Sequence, residues 1–170
     1  MDAAVLSVGV ILERGDKNNK EFACDLGLSA RRSPFSFTPD FRTMTYVYIA
    51  IFAIVGAFAR YGQTLAVQGF LGRDFPFATL SINILGSFLM GFLFFETLER
   101  INISPEMRTG LLTGGLGAYT TFSTFSLESL NLIEGGELTK AVLYVAASVV
   151  LSIAAAIFGA FLSRNMGVSA

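Results

Sequence analysis

Charge vanishes from this chain for long intervals. Residues 43–59 hold no Asp, Glu, Lys or Arg, and after Arg60 the sequence is uncharged again to Gly72. Further uncharged runs cover Phe75–Phe95, Thr109–Leu127 and Ala141–Ser163. A helix needs roughly 20 apolar residues to cross the hydrocarbon core of a bilayer. Counting the first run across Arg60, four segments come close to or exceed that length, with short connections between them. In hydrocarbon every backbone polar group must be paired within the protein, so only helices and closed barrels span. A barrel would show period-2 alternation and a turn cluster about every ten residues, and neither is present. The chain therefore reads as an all-α membrane protein with four transmembrane helices in one domain, residues 44–170.

The same composition closes off several functions. There is no His, and the single Cys is Cys24. A zinc site, a His general base and an internal disulfide thus lack the residues to build them. No Ser or Cys has a His partner for a conventional nucleophilic triad. A net charge of −1 leaves no electrostatic footprint for nucleic acid.

The first span is expected at Tyr46–Val67 and the second at Pro76–Leu98, with Pro76 suited to a first helical turn. Ser87 and Gly91 stand four apart in the second span, a spacing that lets helices approach closely. Ser104-Pro105-Glu106 reads as an N-cap, a Pro at the first helical position and an acidic first turn. It opens a third span that contains Gly110-xxx-Gly114 and ends at Gly135-Gly136. The last span runs over Leu138–Ser163. Within the third span lies the least helical stretch, Gly114-Gly115-Leu116-Gly117-Ala118-Tyr119-Thr120-Thr121-Phe122-Ser123-Thr124-Phe125-Ser126-Leu127-Glu128. Three glycines in four positions, then β-branched and hydroxylated residues, are poor helix formers. The helix is expected to break near Gly117–Thr120. Irregular backbone at membrane depth is tolerated only where protein buries it or it lines a polar cavity.

Few polar residues fall inside the spans, so each one matters. Asn83 sits midway along the second, where its amide must find partners or line water; an interhelical hydrogen bond would account for it equally. Tyr144, Ser148 and Ser152 fall at i, i+4 and i+8, on one stripe of the last helix. That stripe is either a polar track or a packing seam continued by Ala156 and Ala160. Phe122 and Phe125, three apart on one face beyond the break, carry ring edges that are electropositive.

The stretch from Gly114 to Glu128 resembles the Fluc/CrcB family of fluoride channels, in which a glycine-rich break precedes Thr-Thr-Phe-Ser-Thr-Phe. Residues Thr120–Phe125 match that hexapeptide in full. The resemblance runs from about Met44 to the C-terminus and leaves out residues 1–43. Ala118 is a departure: many members carry a second glycine there, and Ala tolerates positive φ poorly. The resemblance implies that Phe122 and Phe125 coordinate fluoride edge-on, with Ser123 and Thr124 as nearby hydroxyl donors. It places Thr79 and Asn83, in Thr79-Leu80-Ser81-Ile82-Asn83, on the pore lining and Tyr144, Ser148 and Ser152 on a polar track. It implies a structural, untransported Na⁺ held by the main-chain carbonyls of Gly117 and Thr120 from two subunits. Arg60, in Gly56-Ala57-Phe58-Ala59-Arg60-Tyr61, matches the family's Arg in the first span. It either raises the anion potential of a vestibule or snorkels to the interface. Glu128 would face a vestibule.

As a whole, the resemblance implies an antiparallel, dual-topology homodimer in the bacterial inner membrane. It would pass fluoride out of the cytoplasm down its gradient and so relieve fluoride toxicity, its partners being its own second copy, the ion and the lipid bilayer. Two alternatives stand beside it. A small multidrug-resistance-type exporter needs an intramembrane carboxylate, and the first span has none; Glu96, Glu99, Glu106, Glu134 and Glu137 are expected at span ends. A non-transporting membrane assembly subunit is the other.

Residues 1–43 form an N-terminal extension that is read either as a disordered tail or as sequence upstream of a start at Met44. Topology favours the second. Beyond Met44, Arg100, Arg108 and Arg164 lie on the side of the N-terminus, and Arg73 and Lys140 on the other. That near balance permits insertion both ways. Arg31, Arg32 and Arg42 would tip it.

Overall fold

A computed structural model describes residues 41–166. The expectation for residues 1–43 falls almost wholly outside the described residues, although residues 41–43 already belong to the first helix. In chain order the elements are α1 (Phe41–Leu71), α2 (Phe77–Glu99), α3 (Pro105–Thr109), a π-helical turn (Gly110–Leu116), α4 (Gly117–Tyr119), α5 (Phe122–Glu134) and α6 (Leu138–Met166). No strand occurs among the described residues.

Among the described residues, three helices are long and apolar enough to cross a membrane: Arg42–Leu71, Phe77–Glu99 and Leu138–Met166. Residues 105–134, expected as one broken span, are helical in pieces, each too short to cross alone. The molecule exposes large apolar side chains and buries polar ones within a largely apolar core. Phe58, Val150 and Ile157 are each more than three-fifths exposed, while Thr79, Glu96, Thr97, Thr121, Ser148 and Ser163 are buried. Water would select the reverse; hydrocarbon selects this arrangement.

The punctuation follows the local chemistry. Gly72 and Gly136 adopt φ of 76° and 77° beyond α1 and α5, a conformation that favours glycine. The Ser104 hydroxyl accepts from Met107 N–H at 3.2 Å, with Pro105 opening α3. Pro76 caps α2 rather than entering its first turn.

Two helix pairs organise the fold. α2 and α6 run parallel and make the most extensive contact. A Cβ on Gly91 would collide with the Ala156 carbonyl, and one on Gly159 with the Phe88 carbonyl. Backbones therefore touch along this seam, the close packing expected of small residues in membranes. α1 packs chiefly on the π-helical turn. Here a Cβ on Gly56 would strike the Gly115 carbonyl, and one on Gly114 the Ile49 carbonyl. This corrects the reading of the glycine cluster as a helix breaker. Gly117 has φ −63° and ψ −38°, and no residue near it has positive φ. The glycines permit close approach; the chain stays helical through them, widened by one π-helical turn.

At the C-terminal ends of α2 and α6, a polar cluster ties three segments together. Arg100 Nη1 meets Glu96 Oε1 at 2.8 Å, Ser163 Oγ donates to the same oxygen at 2.9 Å, and Arg100 Nη2 donates to the Ser163 carbonyl at 2.6 Å. Arg108, from α3, donates to Thr97 Oγ1 at 3.1 Å and to the Phe94 carbonyl at 3.3 Å. Glu96, expected at a span end, is only 7% exposed and is neutralised where it sits.

Candidate functional site

The break lies at Thr120 and Thr121. Thr120 has φ −79° and ψ 160°, and Thr121 has φ −151° and ψ 121°. These two extended residues separate α4 from α5. Ala118 meets no strain at this break, since its neighbourhood holds no positive φ. Thr121 then caps α5, its hydroxyl accepting from Thr124 N–H at 3.1 Å.

A break at membrane depth leaves backbone groups without partners, and Asn83 supplies them. Thr121 N–H donates to Asn83 Oδ1 at 2.9 Å, and Asn83 Nδ2 donates back to the Thr121 carbonyl at 3.0 Å. The side-chain amide stands in for a strand partner, satisfying one donor and one acceptor together. Asn83 also lines the cavity beside the break.

Two carbonyls remain with their ordinary donors diverted. In a continuous helix Gly117 O would accept from Thr121 N–H, which instead meets Asn83. Thr120 O would accept from Thr124 N–H, which instead meets the Thr121 hydroxyl. Gly117 is exposed, with open space around it. Freed carbonyl oxygens suit a hard cation such as Na⁺, and no cluster of His, Cys, Asp and Glu among the described residues competes for a metal. One chain provides two such oxygens, too few for a full shell, so the donor set fits a site shared between copies.

Beside the break a cavity of about 450 Å³ lies between α2, α5 and α6. Asn83 and Ser87 line it from α2, Thr120 and Thr121 from the break, Phe122 and Phe125 from α5, and Ser148 and Ser152 from α6. No charged side chain belongs to the lining. The Oγ atoms of Ser148 and Ser152 are buried and have no hydrogen-bond partner among the described residues. Serines inside helices ordinarily bond back to a carbonyl one turn earlier, as Ser126 and Ser129 do here. The Phe122 and Phe125 rings stand 5.4 Å apart between centroids. They differ sharply in exposure, Phe122 at 78% and Phe125 at 9%.

Other expected residues lie off this wall. Thr79 and Tyr144 are buried and both donate to Glu128, at 2.9 Å and 2.7 Å to its two carboxylate oxygens. Tyr144 also packs its ring 5.2 Å from that of Phe125, joining the Glu128 cluster to the cavity. Glu128 lines a second, smaller cavity of about 230 Å³ with Arg73, Asp74 and Asn131. Ser123 and Thr124 group around the Thr121 hydroxyl at 3.2 Å and 3.0 Å and are exposed. Arg60 lines neither cavity and makes no ion pair among the described residues.

Sequence reasoning passed over Gln63 in the first span. It accepts from the Tyr119 hydroxyl, and its Nε2 donates to Ser81 Oγ at 3.1 Å. The signal that singles out Asn83, an amide within an apolar span, applied to Gln63 as well.

Comparison with known proteins bears on this geometry. Residues 47–160 match the family described as CrcB-like protein, Camphor Resistance (CrcB). A relative from Acidithiobacillus ferrooxidans is 66% identical over 121 residues, covering 71% of this chain and 97% of its own length. One from Methylococcus capsulatus is 52% identical over 120 residues, covering 71% and 53%. One from Magnetococcus marinus is 46% identical over 121 residues, covering 71% and 98%. Each of these relatives carries the name fluoride-specific ion channel FluC.

Proposed function

The chain belongs to the CrcB-like family, and from that premise we propose that it is a fluoride-selective channel that lets the anion leave the cytoplasm passively. It is then a multi-pass membrane protein and not an enzyme. The observation that carries the reading is the uncharged cavity wall with two buried, unpaired hydroxyls, Ser148 and Ser152, across from Phe122 and Phe125. A small, strongly hydrated anion must exchange water for other donors, and hydroxyls and ring edges provide them without a formal charge. A fixed Lys or Arg would hold the anion too firmly for fast passage. Hydrogen fluoride enters cells as a neutral acid and ionises inside, so a passive route for the anion suffices to relieve toxicity.

The functional unit is an antiparallel homodimer in the inner membrane, with residues 105–134 crossing as the third, interrupted span. Support comes from Phe122, whose ring is largely uncovered in a single copy although it sits on the cavity wall. A second copy would close the cavity over it. The freed carbonyls of Gly117 and Thr120 from both copies would hold a structural Na⁺ at the dimer centre. Thr79, Tyr144 and Glu128 would form the next polar station beyond Phe125, with Ser123 and Thr124 as secondary donors and Arg60 near a mouth. The test is fluoride efflux from liposomes containing purified protein, with chloride as the control anion. Rapid fluoride loss without chloride loss is expected; equal permeability, or none, would overturn the reading.

A further inference from the structure

Tyr119 is the last helical residue before the break, and its side chain is held with unusual completeness. It is 7% exposed. Its ring packs beside the Thr120 methyl, which enters the notch that Gly86 leaves in α2, with Cδ1 3.1 Å from where a Cβ would sit. Its backbone nitrogen lies against Gly56 of α1. Its hydroxyl donates to Gln63 Oε1, Gln63 Nε2 donates to Ser81 Oγ at 3.1 Å, and Ser81 donates to the Ala78 carbonyl at 2.9 Å. A relay of four groups thus runs from the break to α1 and on to α2.

On the other side of the break, Asn83 clamps the Thr121 backbone through two hydrogen bonds. Tyr119 and Thr121 are therefore both pinned, by different helices. Gly117 lies just before the first anchor and Thr120 between the two. Carbonyl oxygens bind a cation well only if their directions are set beforehand, because any ordering on binding subtracts from affinity. No side chain packs where a Cβ of Gly117 would lie, so its carbonyl takes its direction from the helix that carries it.

We propose that Gln63 is a positioning residue for the cation site. Through the Tyr119 hydroxyl it sets the rotation and depth of α4, and so the direction of the Gly117 and Thr120 carbonyls. The inference rests on the reading that these carbonyls hold Na⁺, and it adds which side chains of this chain tune that affinity. The relay touches neither the carbonyls nor the fluoride cavity, so it acts only through Tyr119.

The experiment is a Na⁺ titration of thermal unfolding for the full-length protein in detergent, with an organic cation holding ionic strength constant. Na⁺ should raise the wild-type midpoint, because a ligand of the native state stabilises it by mass action. Tyr119→Phe removes one hydroxyl and keeps the ring. It should raise the half-saturating Na⁺ concentration about fivefold, the equivalent of one hydrogen bond of ~1 kcal/mol. Gln63→Leu should do the same, and the double variant should shift no further, since both changes sever one bond. If Gln63→Leu does not fold, Tyr119→Phe decides alone. An unmoved half-saturation in folded Tyr119→Phe, or its unfolding in every salt, would overturn the positioning role. A wild-type protein indifferent to Na⁺ is a different result: it overturns the cation site itself, and this proposal with it.

Discussion

Two polar regions are buried along the same pair of helices, and they are built on opposite rules. At the C-terminal ends of α2 and α6, Glu96, Arg100 and Ser163 form a closed set in which carboxylate, guanidinium, hydroxyl and carbonyl all meet partners. Midway along those helices, Ser148 and Ser152 present hydroxyls that meet none. The first region contains formal charges and the second excludes them. Burying a polar group without a partner is costly, so native structures seldom do so without a reason. A closed cluster gains by being static: it fixes how two helix ends and α3 sit together. An open row of hydroxyls gains nothing for the fold and is useful only if something else completes it. The contrast separates polar residues that hold the protein from those that, under the proposed function, would serve an ion.

Breaking the closed set should have the largest effect. Arg100→Met removes the cation and leaves the Glu96 carboxylate, 7% exposed, with the Ser163 hydroxyl but no opposite charge beside it. Loss of one partner of a fully buried ion pair costs about 3 kcal/mol or more; Arg100 is itself exposed, so solvent screening cuts the expected loss to about 2 kcal/mol. The variant should melt well below wild type in detergent. A melting point within a degree or two of wild type would dissolve the contrast, making Glu96 as dispensable as any surface acid.

The two regions were also unequally legible. Asn83, Phe122, Phe125, Ser148 and Ser152 announce themselves because polar or hydroxyl-flanked residues in an apolar run have few explanations, and the structure gathers all five on one cavity. Glu96 did not, because its position at the end of an uncharged run looks like an ordinary water-facing terminus. Only the parallel approach of α6, which brings Ser163 to it, shows otherwise. The break is a mixed case. Glycine composition placed it near Gly117–Thr120, and Thr120 is indeed extended, but the reason was misread. Glycine's weak helix propensity yields to packing here, because Gly114 and Gly56 are needed small where α1 crosses. The residues that leave the helix are β-branched threonines whose backbone Asn83 can receive. Tyr119 and Gln63 were missed because their partnership spans 56 positions.

The open region should respond in function rather than in fold, and Phe122→Ile is the cleaner probe. Its ring is 78% exposed in a single copy, so the substitution removes an aromatic edge with little loss of internal packing. Fluoride flux from liposomes should drop about tenfold, corresponding to ~1.4 kcal/mol of lost ring–anion interaction. Phe125→Ile should depress flux similarly. It should also lower the melting point, because Phe125 packs against Tyr144 and is 9% exposed. Normal flux in Phe122→Ile would place the ion path elsewhere.

The smallest effects sharpen the comparison most, because they pit one serine against another on the same helix. Ser163→Ala deletes a bond to Glu96 and should cost about 1 kcal/mol of stability. Ser148→Ala and Ser152→Ala delete hydroxyls that have no partner, so nothing made within the chain is lost and a desolvation penalty is relieved. Their stability should equal or exceed that of wild type by up to about 1 kcal/mol, seen as an equal or higher melting point. Their fluoride flux should nonetheless fall about threefold each, near 0.7 kcal/mol in barrier height. Stability and flux thus move in opposite directions at positions 148 and 152, while at 163 stability falls and flux holds. If Ser148→Ala destabilised the protein as Ser163→Ala does, its hydroxyl would have a structural partner after all. The open wall would then be a packing seam, with Ala156 and Ala160 its natural continuation.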